Sequence, residues 1–178
     1  MDHVWRRWGV MGFESRLVRD QTGYVATRES FRPAAEALYL RAATLGDLDA
    51  VVESSAAMAR EEARDDPQRR NPSMFRARIR ERVQRGRDLV HFERSQLAFK
   101  ANISAISDVG GQVEGIYTHP LLRGRGLGLR GTSEVTRWIL ARAPRASLLV
   151  NDDNLPARRL YDRLGYVAVY ESRTVFVA

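Results

Sequence analysis

Gln112-Val113-Glu114-Gly115-Ile116-Tyr117-Thr118-His119-Pro120-Leu121-Leu122-Arg123-Gly124-Arg125-Gly126-Leu127-Gly128 is the stretch on which the fold turns. Residues 112–118 read as a strand, and Pro120 ends it. Glycines then alternate with Arg123, Arg125 and Leu127, ahead of a helical run that reaches about Ala143 and is closed by Pro144. Such a turn suits a phosphate or diphosphate. The first N–H groups of a helix lack intrahelical partners and carry the positive end of its dipole, and glycine lets a ligand come close to the backbone. Arg123 and Arg125 add mobile positive charge. Two rival readings stand beside this one. Gly126-Leu127-Gly128-Leu129-Arg130-Gly131 is a literal GxGxxG, with Asp152 and Asp153 about 20 residues later, as a dinucleotide fingerprint asks. Against it, Pro120 to Arg123 separates the strand from the first glycine, and no second set of strand–helix–strand units follows. The other rival is a turn that merely caps a helix.

Working outward, Ser147-Leu148-Leu149-Val150 reads as a short buried strand. Asn154 or Asp153 then caps a helix over Leu155 to Leu164, Gly165 ends it, and Tyr166 to Val177 supplies the last strand or strand pair. Ala157, Leu160, Tyr161 and Leu164 share one helical face, which puts Tyr161 on the packed side. Taken alone, that is the pattern of a core tyrosine. Upstream, Leu89 to Glu93 and Leu97 to Ile106 read as two strands joined at Ser95-Gln96. Phe75, Ile79 and Val83 mark a helix opened by Ser73, with Gly86 as its C-cap. A further helix spans Leu48 to about Ala63, after a strand over Leu38 to Ala43. The polar stretch Glu61, Glu62, Asp65, Asp66, Pro67 reads as a loop. The resulting order, βααβββαβαβ, implies a mixed α/β sheet with helices on both faces. Residues 1–37 form an N-terminal extension of unassigned role with a strand candidate at Gly23 to Thr27, and residues 38–178 form the domain.

Composition narrows the function classes. The chain has 178 residues, 44% of them hydrophobic, enough to bury a core without staples. With no cysteine, disulfides, thiolate zinc sites and cysteine nucleophiles are excluded. No apolar run approaches the roughly 20 residues that span a bilayer, and the N-terminus is not a signal peptide. The expectation is a cytoplasmic protein with no membrane partner and no metal. The net charge is +7, and Lys100 is the only lysine. That balance attracts anions, whether nucleic acid or a phosphorylated ligand, although an arginine-rich solvated surface accounts for it equally well.

The two segments together resemble the GNAT superfamily of N-acetyltransferases. Members carry Arg/Gln-x-x-Gly-x-Gly/Ala after a strand that ends in a proline-bearing turn. Here that is Arg123, Gly124, Arg125, Gly126, Leu127 and Gly128 after His119-Pro120. Downstream they carry Asn-x-x-Ala-x-x-x-Tyr and then a Gly-aromatic pair, matched by Asn154, Ala157, Tyr161, Gly165 and Tyr166. The resemblance is strong over about residues 112–170. It implies a mostly antiparallel sheet with a V-shaped splay and an acetyl-coenzyme A-dependent N-acetyltransferase. The acyl donor would lie between residues 112–118 and 147–150. Backbone groups of Ile116, Tyr117 and Thr118 would pair with its pantetheine arm, the N–H groups of Gly124 to Leu129 would hold its diphosphate, and Asn154, with Ala157 beside it, would meet the arm.

By the same resemblance, a backbone N–H near Ile116 or Tyr117 would meet the oxygen that gains negative charge. Tyr161 would protonate the leaving thiolate, since a phenol with a reference pKa of about 10 keeps its proton at pH 7. Glu114 is the first candidate for general base and His119 the second. Glu114 alternates with Val113 and Gly115, so its face depends on register. The acidic group Glu61, Glu62, Asp65 and Asp66 lies where the family forms its acceptor site and would draw a cationic small-molecule or peptide amine. Two alternatives remain: a catalytically silent acetyl-coenzyme A sensor, and a basic nucleic-acid-binding module built on Arg69, Arg70 and residues 76–82, which acidic residues interrupt. A homodimer is left open.

Overall fold

The apolar runs between residues 88 and 118 fold into three consecutive antiparallel strands, one half of a seven-stranded sheet. The computed structural model describes residues 15–63 and 66–177. In chain order the elements are β1 (Ser15–Thr27), β2 (Arg41–Ala42), α1 (Leu48–Ala63), α2 (Pro67–Arg70), α3 (Pro72–Gln84), β3 (Asp88–Glu93), β4 (Gln96–Ile106), β5 (Gly111–Thr118), α4 (Leu127–Leu140), β6 (Arg145–Asn151), α5 (Leu155–Arg163) and β7 (Val167–Val177). Across the sheet the order is β2-β3-β4-β5-β6-β1-β7. Only β5 and β6 run parallel; the other pairings are antiparallel. This is the mixed, mostly antiparallel α/β sheet that the sequence implies.

Strand alternation sends apolar side chains to both faces, and two core clusters result. One joins Leu127, Val135 and Ile139 of α4, Tyr161 of α5 and its C-cap Leu164 to Phe99, Ala101 and Ile103 of β4, Leu148 and Val150 of β6, and Tyr24 and Ala26 of β1. The other joins Leu48, Val51 and Val52 of α1 and Ile79 and Val83 of α3 to Val90 and Leu97. Helix α4 sits close to the sheet because Gly131 faces the Phe99 ring, whose atoms lie 2.6 Å from where a Cβ would stand. Lys100, 1% exposed, and Asn102, 4% exposed, are polar exceptions buried in β4.

Three features depart from the sequence reading. The candidate strand at Gly23–Thr27 is part of a strand of 13 residues lying between β6 and β7, so the N-terminal segment is built into the sheet. The strand expected over residues 38–43 shrinks to Arg41–Ala42, which pair with Val90 and Leu89. The polar stretch read as a loop holds the short helix α2, started by Pro67 at its first position and by the Asp66 side chain, which accepts from the Gln68 N–H at 3.0 Å.

The segment after β1 is tied down on α4 and α5. Ala34 N–H donates to Ser133 Oγ, and Arg32 N–H donates to the Leu164 carbonyl. Gly165 has φ +79°, and a Cβ on it would lie 1.8 Å from the Ser30 carbonyl oxygen. Gly165→Ala is therefore expected to cost roughly 2–3 kcal/mol from the left-handed backbone and the clash together. Urea unfolding of the variant measures it, and a midpoint equal to wild type would contradict the packing described.

Candidate active site

Strands β5 and β6 pair only from Gly111↔Ala146 to Val113↔Leu148. Beyond Val113 they part, and the β6-facing edge of residues 114–118 has no strand partner. On its other edge β5 pairs with β4, as Lys100↔Tyr117 and Asn102↔Glu114. Between these pairs Gly115 and Ile116 stand opposite Ala101 alone. This is a β-bulge, and Gly115, at φ +60°, supplies its left-handed residue. The bulge re-aims the strand at the point where the sheet opens.

A cleft of about 750 Å³ fills the opening. Its walls are Met58, Glu61 and Glu62 of α1; Ile116, Tyr117 and Thr118 of β5; Leu122, Arg123, Gly124, Gly126, Leu127, Gly128 and Leu129 of the glycine turn and α4; and Asn151, Asp153, Asn154, Pro156, Ala157, Arg159, Leu160 and Arg163 of β6 and α5. Gly126, at φ +77°, is the N-cap of helix α4, with no side chain capping it, and Gly124 has φ +75°. Space for a Cβ is open at both glycines, so backbone conformation rather than crowding requires them. The uncapped first turn of a 14-residue helix thus faces the cleft with unpaired N–H groups, a site suited to a diphosphate. The literal GxGxxG finds its explanation here too, since its last glycine, Gly131, serves the contact with Phe99.

Arg123 and Arg125, expected as mobile charges, are engaged. Arg123 donates to the Thr118 carbonyl at 3.0 Å and pairs with Glu61 at 2.7 Å, and Arg125 pairs with Glu93 at 3.1 Å. All four side chains are at least partly exposed, so each pair is worth roughly 0–1 kcal/mol and exchanges readily for a phosphate oxygen. Asn154 caps α5 by accepting from the Ala157 N–H at 3.2 Å, and it lies on the cleft wall. Arg159 and Arg163, also on the wall, escaped the sequence reading; their spacing along α5 was the only sign of a shared face.

The acidic group separates. Glu62 is on the cleft wall, and burial, the largest influence, raises its carboxyl above the usual range. Glu61 is held by Arg123 at the same cleft. Asp66 is a helix cap paired with Arg60 at 3.6 Å and Arg69 at 3.7 Å, and it is not on the wall. Asp65 lies outside the described residues. Glu114 is exposed, accepts from Gln112 Nε2 at 3.0 Å, and is not brought to the cleft, because its side chain precedes the bulge that turns the strand. His119 Nδ1 is buried and has no partner among the described residues.

Tyr161 is a buried core residue rather than part of the cleft wall; it packs its ring between Tyr24 and Tyr166, each 5.9 Å away between centroids, one turn along α5 from Ala157, which is on the wall. Arg158 Nε donates to the Tyr24 hydroxyl at 3.3 Å, and the Tyr166 hydroxyl meets Thr136 Oγ1 at 2.7 Å. The Tyr161 hydroxyl has no hydrogen-bond partner among the described residues. Burial, then Tyr166, then Glu62, pushes its pKa well above the ordinary phenol value. Among the described residues no helix is long and apolar enough to cross a membrane, and no group of His, Cys, Asp and Glu side chains is arranged to hold a metal.

Comparison with known proteins agrees with this geometry. Residues 96–177 match the family model described as FR47-like protein. Among solved structures, a GNAT-family acetyltransferase from Colwellia psychrerythraea aligns with TM-score 0.69 at 11% identity, over 98% of this chain and 61% of that one. A Drosophila protein aligns with TM-score 0.74 at 17% identity, over 99% and 57%. A predicted acetyltransferase with acetyl-CoA from Clostridium acetobutylicum aligns with TM-score 0.60 at 15% identity, over 74% and 90%. This chain spans about three fifths of the length of the first two. No curated protein matches it. The chain has the fold of these GNAT-family structures, and the match to the FR47-like model is confined to its residues 96–177.

Proposed function

We propose that the chain is an acetyl-coenzyme A-dependent N-acetyltransferase that moves an acetyl group to a primary amine by direct attack on the thioester. One observation carries the reading: the unpaired edge of β5 and the uncapped N-terminus of α4 open into the same cleft. A diphosphate fits the first turn of α4, and a polar arm fits the free backbone of Ile116 to Thr118 as an added strand. Arg123 and Arg125 shift from Glu61 and Glu93 towards the phosphates.

Bound there, acetyl-coenzyme A supplies an activated acetyl thioester. The Ile116 N–H meets the oxygen on which negative charge develops. Tyr161 serves the leaving sulfur. Glu62, on the α1 side of the cleft, attracts the cationic acceptor and takes its proton. A carboxyl raised above the usual range is the better base for that task. Glu114, away from the cleft wall, is not needed for this step.

Calorimetry with acetyl-coenzyme A, followed by thiol release against a panel of amines, peptides and aminoglycosides with spermidine as the cationic probe, tests the proposal. Micromolar binding and amine-dependent thiol release are expected. No heat with folded protein would overturn the donor site, and binding without thiol release would leave a sensor. Glu62→Gln is expected to raise the KM of cationic acceptors about five- to tenfold while the acetyl-coenzyme A affinity stays put, in line with the loss of one charge pair of roughly 1 kcal/mol. In the wild type that KM should also rise as the pH falls through the elevated Glu62 pKa, because protonation removes the attracting charge. An unchanged KM in the variant would free Glu62 from attracting the acceptor, and an unchanged kcat would free it from taking the proton.

A further inference from the structure

The chain carries 29 Lys and Arg residues, and the one lysine is buried at the centre of the sheet. Lys100 Nζ donates to the Gly115 carbonyl at 3.1 Å, inside the bulge of β5. A Cβ at Gly115 would lie 3.4 Å from that nitrogen, so the glycine also makes room for it. Asn102 Oδ1, two residues along the same strand, is buried without a partner among the described residues. The lysine thus serves a backbone carbonyl while a side-chain acceptor nearby goes unmet.

Gly115 and Ile116 share one trans peptide plane, in which C=O and N–H point in opposite directions. With the carbonyl turned to Lys100, the Ile116 N–H points away from the ammonium, and Ile116 is on the wall of the cleft. A cation on a peptide oxygen draws electrons from the amide and makes its N–H a stronger donor, as hydrogen-bond chains polarise one another.

We propose that Lys100 is a positioning residue for acyl transfer: hydrogen-bonded to the Gly115 carbonyl, its ammonium locks the β5 bulge and polarises the Gly115–Ile116 peptide, so that the Ile116 N–H is aimed and strengthened for the thioester oxygen. The inference rests on the acetyltransferase reading above. It explains why this position is lysine in a chain that otherwise uses arginine. A buried guanidinium stays charged and needs several acceptors, whereas an ammonium is a compact point donor.

The groups facing Lys100 set its titration. Burial lowers its pKa first, and Arg82 of α3 lowers it further, while Asp88 of β3 and Glu62 of α1 oppose them; the outcome is a pKa of about 8. Arg82 and Asp88 form a two-pronged pair at 3.0 and 3.1 Å, so they largely cancel. Tyr117, opposite Lys100 in the ladder, is a phenol raised by burial and stays neutral in this range. The polarising charge is therefore present below about pH 8 and lost as the pH rises through it.

A lysine-selective isotope label gives this protein a single side-chain signal, which reports on Lys100 without assignment. Saturating acetyl-coenzyme A is expected to shift that signal. Lys100→Met is expected to lower kcat about tenfold at pH 7 with the panel amine that turns over fastest, a fraction of the 10²–10³ lost when an oxyanion donor is removed outright. Its KM for acetyl-coenzyme A should stay within twofold, and the wild-type-to-variant kcat ratio should fall towards one above about pH 8. Because the chain has no cysteine, Lys100→Cys can be aminoethylated in denaturant and refolded, and kcat is expected to return with the amine. A signal unmoved by saturating acetyl-coenzyme A overturns the proposal. So does wild-type kcat in Lys100→Met, or a kcat loss equal at every pH that aminoethylation does not reverse. If Lys100→Met does not fold, the label and the aminoethylated protein decide. Failure of the acetyltransferase reading is told apart by calorimetry on the wild type, which would then show no binding at all.

Discussion

A chain shortened to residues 38–178 is expected not to fold. The sequence divides at residue 37, because everything before it lies outside the recognisable motifs. The sheet does not divide there. β1 pairs with β6 from Gln21↔Asn151 to Thr27↔Arg145, and with β7 from Ser15↔Val177 to Val25↔Val167. β7 is the last strand in the order and has β1 as its one neighbour. Removing β1 therefore strips β7 of its whole ladder and bares the far edge of β6. It also takes Tyr24, 3% exposed, and Ala26, 0% exposed, out of the larger core cluster. Deleting a buried aromatic alone typically costs about 3–5 kcal/mol, against a total stability of roughly 5–15 kcal/mol for a domain. Circular dichroism with urea should show no cooperative transition for residues 38–178, and added peptide 1–37 should restore one. A cooperative transition of the shortened chain near the wild-type midpoint would contradict the account of β1.

Why the sequence read well in one half and poorly in the other follows from the range of the interactions. The glycine turn, the Asn154 cap and the faces of α4 and α5 depend on residues within a few positions of one another, and each appears where the spacing puts it. β1 depends on partners more than a hundred residues away, so of its 13 residues only the last five, Gly23–Thr27, look like a strand. Asp66-Pro67 is turn chemistry as well as helix-start chemistry, and the backbone bonds from Arg70 N–H to the Asp66 carbonyl and from Asn71 N–H to the Pro67 carbonyl make the difference in α2. Glu114 shows the limit of alternation. A strand pattern predicts faces only while the ladder is regular, and the bulge at Gly115 and Ile116 breaks the count just after it. Lys100 was visible as the sole lysine, but its burial comes from α1 and α3 lying across the sheet, which no local pattern encodes.

Tyr161→Phe is expected to fold as the wild type does and to lower kcat about 10²–10³-fold, the loss typical of a donor aimed at developing charge. The three packed tyrosines make the case. Tyr24 and Tyr166 have protein partners for their hydroxyls, and Tyr161 has none among the described residues, so its hydroxyl does nothing for the packing that a phenyl ring would not do. Its pKa is pushed up by burial, by Tyr166 and by Glu62, which keeps the proton on the oxygen throughout the working range. The same shift changes what the group can do. A reference thiol has a pKa of about 8.5, so complete transfer of the proton from this phenol to a thiolate would run uphill. The hydroxyl instead donates a hydrogen bond that strengthens as charge gathers on the departing sulfur. It follows that the deficit of Tyr161→Phe should be nearly constant between about pH 6 and 9, whereas a group transferring its proton near its own pKa would impose a limb on the profile. Tyr166→Phe is the control. It breaks a buried hydrogen bond to Thr136 and should cost about 1 kcal/mol of stability with little change in kcat. Thiol release measured across that pH range, with urea unfolding beside it, separates the two. If Tyr161→Phe turned over at the wild-type rate, its hydroxyl would have no part in the reaction, and the leaving sulfur would have to be served by a residue of the cleft wall itself.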